Sequence, residues 1–302
     1  MFWLKLFILD FLLMVLGVLL GVAFFTLMER KVLGYIHFRK GPTKLLYFGI
    51  LQPISDAVKL FTKESLKGTK FSFYLFFISP FLGLLLMILL WGVYSSYFGM
   101  FGSFYSLIFV FCLMSLGVYF LLFCGWGSNS KYALIGGYRS VSQTISYEVS
   151  MIFFALFFVF LVSSFDLACF SSFQFNFWFF NMSFLFFIGW IFIILAESNR
   201  TPFDFSEGES ELVSGFNVEY GGGVFSLIFI CEYGMIIFLN FLTICIFLGN
   251  NSFLAKIMML CFLFVWIRCC FPRYRYDFLM KSAWKNILPF SLFFLLISMI
   301  CF

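Results

Sequence analysis

Sixty consecutive residues, from Phe71 to Ser130, contain no Asp, Glu, Lys or Arg. A second uncharged stretch of 30 residues runs from Leu167 to Ala196. About 20 apolar residues are enough for a helix to cross the hydrocarbon core of a bilayer. The first run is therefore long enough for more than one crossing, and neither run suits a water-soluble domain. Charge is scarce throughout, at 11% of the chain, against roughly 25% in soluble domains. A membrane barrel would show alternating strands of about ten residues, and these continuous runs do not. The expected fold is all-α: a polytopic integral membrane protein, with residues 1–302 forming a single membrane domain.

Runs bounded by charge or turn residues predict eight transmembrane helices, near 6–28, 71–95, 103–125, 141–163, 177–196, 224–248, 253–271 and 286–302. "CGWGSNSKYALIGGYRS" at 124–140 reads as a loop. No linker and no internal repeat is evident, which gives no support to a transporter built from inverted repeats. A short amphipathic helix is expected after the first span, in "LQPISDAVKLFTKE". Pro53 suits a first helical turn. Ile54, Ala57, Val58 and Phe61 share one face, opposite Ser55, Asp56, Lys59, Thr62 and Lys63. At about 12 residues this helix is too short to span, and it suits the headgroup plane or a partner surface.

Segments 29–70, 125–140, 197–223 and 268–285 hold 17 of the 19 Lys and Arg residues. The positive-inside rule then puts these segments inside and both termini outside. The inner face is large and polar, while the outer face is reduced to turns. The chain thus has something to hold on one side only. The N-terminus runs directly into a span with no presequence features. Nine cysteines lie mostly in apolar runs without a C-x-x-C pair, beside a single His37. Zinc or iron–sulfur ligand spacing is missing, so no redox centre is expected in this chain.

The acidic residues are distributed unevenly. Six of the 14 fall between Glu197 and Glu219, and only Arg200 answers them locally. Glu148 and Glu232 lie inside the fourth and sixth spans, roughly 10 Å along each helix. A charge at such depth costs about 2.5–3.5 kcal/mol on insertion scales. Two readings account for it: neutral glutamates bonded to nearby polar groups, or a proton or ion relay that continues to Glu197. Arg139 and Arg200 are candidate counter-charges.

Five segments in order, "ERKVLGYIHFRKGPTK", "LQPISDAVKLFTKE", "GYRSVSQTISYEVS", "AESNRTPFDFSEGESELVSGFNVEYGGG" and "WIRCCFPRYRYDFLMKSAWKNILP", closely resemble the NADH–ubiquinone oxidoreductase chain 1 family. Members of this family are the membrane subunits of respiratory complex I beside the quinone site. The resemblance covers essentially the whole chain. His37 departs from the family pattern and has two readings, a contact to quinone and an exposed loop substitution.

The resemblance implies that the inner segments meet hydrophilic partner subunits and jointly enclose the ubiquinone headgroup. Arg30, Arg39 and Asp56 would shape the entrance for the quinone tail. Glu207, Glu209, Glu211 and Arg273 would border the cavity. Glu148, Glu197 and Glu232 would begin a proton path toward neighbouring membrane subunits, with Glu29, Arg139 and Arg200 in supporting charge pairs. FMN and the iron–sulfur clusters would belong to partner subunits, with no nucleic acid involved. The implied location is the mitochondrial inner membrane, with a bacterial plasma membrane as the alternative. The acidic segment itself has two readings, a sensor of charge at the quinone site and a docking surface for basic subunits. The related anchor subunits of hydrogenase-type complexes, which work without quinone, also remain open.

Overall fold

The computed structural model describes residues 2–45, 47–64, 71–94, 105–175, 177–205, 208 and 215–301, with side chains from Leu9 to Ile300. Every regular element among them is helical. In chain order these are α1 (Phe2–Ile36), α2 (Gln52–Thr62), α3 (Phe73–Trp91), α4 (Ser106–Gly127), α5 (Lys131–Val162), α6 (Leu167–Phe173), α7 (Phe179–Met182) and α8 (Phe184–Glu197). There follow α9 (Gly222–Thr243), α10 (Phe253–Cys270), α11 (Tyr276–Ser282) and α12 (Leu288–Cys301). A π-helical turn, Ile244–Leu248, prolongs α9, and another, Ala283–Ile287, joins α11 to α12. Among the described residues, seven helices are long and apolar enough to cross a membrane, by length and composition. The chain is an all-α polytopic membrane protein.

The fifth expected span is shorter than its apolar run. Ser183 leaves the helical conformation and its Oγ donates to the Phe179 carbonyl at 2.9 Å. The run therefore splits into α7 and the 14-residue α8. At 1.5 Å per residue α8 covers about 21 Å, short of a hydrocarbon core of about 30 Å.

The fourth span is longer than expected and begins at Lys131 rather than near 141. The glycines that suggested a loop are packing positions within the helix. A Cβ on Gly136 would come within 2.9 Å of the Gly215 backbone, and one on Gly137 within 3.3 Å of Gly125 Cα. Small residues let backbones approach this closely in membrane bundles. Arg139 accordingly lies on α5 and not in a loop.

Aromatic side chains fill much of the core. Phe154, Phe186, Phe290 and Phe294 make a chain of ring contacts with centroids 4.7–6.1 Å apart that joins α5, α8 and α12. Each such pair contributes about 0.5–1.5 kcal/mol beyond area burial.

The two ends of the bundle differ. At one end the turns are tied down locally. Gln174 Nε2 donates to the Cys245 and Ile246 carbonyls, and Lys256 Nζ donates to Leu248 O and Gly249 O. These side chains satisfy carbonyls that a helix C-terminus leaves open. The other end gathers α2, the end of α1, the start of α5, and the segments that follow α8 and α10. There Tyr274 N donates to the Pro202 carbonyl, and Gly222 lies against the backbone of Lys63 and Glu64.

Candidate functional site

The site begins with a glutamate near the end of α1. Glu29 is 7% exposed, and a charge buried that deeply needs partners. Arg268, at the end of α10, forms an ion pair with it. Tyr233 Oη on α9 donates to Glu29 Oε2 at 2.7 Å. The partner of Glu29 is thus Arg268, from a helix more than 200 positions away in sequence.

Tyr233 also carries the polar path sideways. The Arg200 guanidinium lies over its ring at 4.6 Å, and over Phe229 at 5.7 Å. Arg200 Nη2 in turn donates to Glu232 Oε2 at 2.8 Å. Both side chains of this pair are largely buried, at 13% and 14% exposure. Cation–π contact and ion pairing both favour the charged guanidinium here. The order across the bundle is Arg268, Glu29, Tyr233, Arg200, Glu232. A small cavity of about 20 Å³ is bordered by Glu29, Arg200, Thr201, Tyr233 and Arg268.

Glu232 also faces a second, larger cavity of about 80 Å³, walled mainly by α3, α4 and α9. Thr144, Glu197, Ser198 and Asn199 supply its other polar lining. One water needs about 10–15 Å³ by this measure, so several waters fit. Glu197 Oε2 and Asn199 Oδ1 are buried without a hydrogen-bond partner among the described residues. Water in the cavity would satisfy them. Glu148 is buried on α5 one turn beyond Thr144, close enough to Glu197 to interact electrostatically. Gln143 fixes the end of α8 by donating to Ala196 O at 2.8 Å and Phe203 O at 3.0 Å.

The remaining expected residues that the structure describes lie closer to the surface of this end. Arg30 Nη1 donates to Asp56 Oδ2 at 2.6 Å, linking α1 to α2 across a partly exposed pair. Arg39 and His37 are exposed. Arg273 Nη2 donates to Asp204 Oδ2 at 3.2 Å, and its guanidinium lies beside Gly208. Glu207, Glu209 and Glu211 fall outside the described residues. Arg139 lies over the Tyr276 ring at 5.9 Å. The helix α2 forms where expected, with Pro53 in its first turn and buried. Its apolar face points outward: Ile54, Val58 and Phe61 are all more than half exposed.

Of the residues singled out in the sequence, Glu29, Arg200, Glu232, Glu197 and Glu148 lie together in the fold, and Arg30 meets Asp56 apart from them. Sequence reasoning missed Arg268, Tyr233, Thr144 and Asn199. Arg268 sits at the edge of an apolar run and reads as an ordinary anchor. Tyr233 adjoins Glu232, which was its one available signal.

A helical membrane bundle with paired charges in its interior and a polar cavity among its spans defines a class: polytopic membrane proteins with a buried ionisable path. Residues 9–299 match the family model described as NADH dehydrogenase. A Locusta migratoria NADH-ubiquinone oxidoreductase chain 1 is 50% identical over 299 residues, covering 98% of this chain and 95% of its own length. The same-named protein of Anopheles gambiae is 49% identical over 94% of this chain and 92% of its own. That of Heterololigo bleekeri is 47% identical over 90% and 89%. The chain belongs to the NADH dehydrogenase family represented by these chain 1 proteins.

Proposed function

We propose that the chain is the membrane subunit of a mitochondrial inner-membrane NADH–ubiquinone oxidoreductase, respiratory complex I, beside its quinone site. In this reading FMN and the iron–sulfur clusters reside in hydrophilic partner subunits. Arg30, Arg39, Asp56, Glu207, Glu209, Glu211 and Arg273 face the ubiquinone headgroup or the entrance of its tail. Glu148, Glu197 and Glu232 begin a path that couples quinone reduction to proton translocation.

One observation carries the reading. A single polar seam runs from Arg268 and Glu29 through Tyr233 and Arg200 to Glu232, which lines the same cavity as Glu197. Reduction of a quinone to a quinol consumes two electrons and two protons, so charge at the site changes in each turnover. Carboxylates that sense one another respond to such a change together. The seam offers a route from the charged end into the bundle interior.

The test uses Glu148→Gln and Glu232→Gln in the assembled enzyme in sealed vesicles. The complex should form, while quinone reduction, proton translocation or both decline. Normal rates and a normal proton-to-electron ratio in both variants would defeat the path. Recovery of the chain alone, outside any NADH-oxidising assembly, would defeat the assignment as a whole.

A further inference from the structure

We propose that Tyr220 is a positioning residue that latches the end of the 197–221 segment to the wall of the Glu197–Glu232 cavity. This rests on the coupling role given above to those carboxylates.

Tyr220 lies two residues before α9 and is 5% exposed. Its ring stacks on Phe76 of α3, with centroids 4.2 Å apart and planes 2° from parallel. Its hydroxyl donates to the Cys124 carbonyl of α4 at 3.2 Å and lies 3.2 Å from Ser79 Oγ of α3. A phenol has one proton to give. With that proton on Cys124, the Tyr220 oxygen accepts from Ser79. Burial pushes the Tyr220 phenol above its usual range, which keeps that donor proton in place.

The attachment falls where α3 is weakest. Pro80 has no N–H, so the helical partner of the Phe76 carbonyl is missing. Ser79 Oγ lies 3.4 Å from Phe76 O, but its one proton reaches that carbonyl only when it is withdrawn from Tyr220, and Cys231 Sγ of α9 approaches the Pro80 carbonyl at 3.9 Å. One turn further along α3, Gly83 packs so closely on Phe120 of α4 that a Cβ there would come within 2.8 Å of the ring. Gly83, Phe120 and Cys231 all line the cavity that Glu197 and Glu232 share. The hydroxyl therefore grips α3 and α4 about one helical turn from the cavity wall.

The other side of the latch is firm as well. The 3₁₀ turn Gly215–Asn217 is buried, and Gly136 of α5 leaves no room for a side chain against it. A displacement of residues 215–220 has to move Tyr220, and Tyr220 moves the proline-weakened turn of α3. Volume and shape of the cavity follow, and with them the room for water between Glu197 and Glu232.

Tyr220→Phe tests this in the assembled complex in sealed vesicles, because it keeps the ring stack and removes both hydroxyl bonds. Amide hydrogen exchange at 215–221 should quicken by about two- to ten-fold, the factor one hydrogen bond is worth, because Ser79 can return its proton to Phe76 O and only the bond to Cys124 is lost outright. The amount of complex and the KM for a short-chain ubiquinone should hold, while protons translocated per NADH fall. Ser79→Ala should shift the ratio the same way, and the double variant should be no worse than Tyr220→Phe alone. An unchanged proton ratio in Tyr220→Phe overturns the proposal. So does a loss of complex that lowers rate and pumping in proportion. If Tyr220→Phe does not assemble, an unchanged ratio in Ser79→Ala overturns it. Glu232→Gln run alongside separates the two readings: impaired pumping there with normal pumping in Tyr220→Phe defeats the latch and leaves the carboxylate path standing.

Discussion

Arg200 Nη2 and Glu232 Oε2 stand 2.8 Å apart, and both side chains are largely buried. The pair joins the segment after α8 to the middle of α9. It is also the point where the Glu29 cluster meets the larger cavity. Removing one partner of a buried pair leaves an uncompensated charge, which typically costs about 3–5 kcal/mol. Arg200→Leu should therefore lower the amount of assembled complex sharply, as seen on native gels. Arg200→Leu/Glu232→Leu should recover much of it, because no lone charge remains. Equal losses in the single and double variants would contradict the pairing.

Glu29 is held from two helices, by Arg268 and by Tyr233. Tyr233→Phe deletes one hydrogen bond to a charged group, worth about 1.5–3 kcal/mol. Arg268→Leu should cost more, since it strips the counter-charge from a buried carboxylate. Thermal denaturation of the purified complex should rank the variants in that order, with Tyr233→Phe the milder.

The glycines differ in the room around them. A Cβ added at Gly136 would meet backbone atoms of Gly215 and Phe216 at 2.9 Å, whereas one at Gly21 of α1 would find nothing within 4 Å. Gly136→Val should loosen the 215–220 turn from α5, and limited proteolysis should cut the 197–221 segment faster. Gly21→Ala should change neither cleavage nor stability.

Gly117 of α4 borders the 80 Å³ cavity, and a Cβ there meets nothing within 4 Å. A leucine at this position would fill space that otherwise admits water. Gly117→Leu is expected to assemble and to translocate fewer protons per NADH. Gly117→Ala should behave as the parent. A normal ratio in Gly117→Leu would mean that water in this cavity is not required.

Arg30 and Asp56 make a partly exposed pair between α1 and α2. Such pairs contribute about 0–1 kcal/mol and weaken with salt. Asp56→Asn should leave the thermal stability of the complex almost unchanged. A raised KM for ubiquinone with unaltered stability is the expected signature of a residue at the quinone entrance, and steady-state kinetics will show it.

The uncharged runs by themselves settled a helical membrane protein, because backbone groups in hydrocarbon must be satisfied within each helix. The cost of charge at depth singled out Glu148 and Glu232, and the crowding of acids singled out 197–219. Pro53 and the 3.6-residue spacing were enough for α2. These are local properties, in which each residue reports on its own surroundings. Contacts between distant segments needed the tertiary fold. Nothing near Glu29 in the sequence points to Arg268, and nothing near Tyr220 points to Ser79 or Cys124. The glycines at 136 and 137 looked like turn residues because turn formation and close packing both demand a missing side chain. Only the backbones brought against them, Gly215 from the far side of α8 at Gly136 and Gly125 of α4 at Gly137, decide between the two. The same holds for the cavity. Its carboxylates were visible as expensive residues, but the packing of α3, α4 and α9 determines that Glu197 and Glu232 share one space.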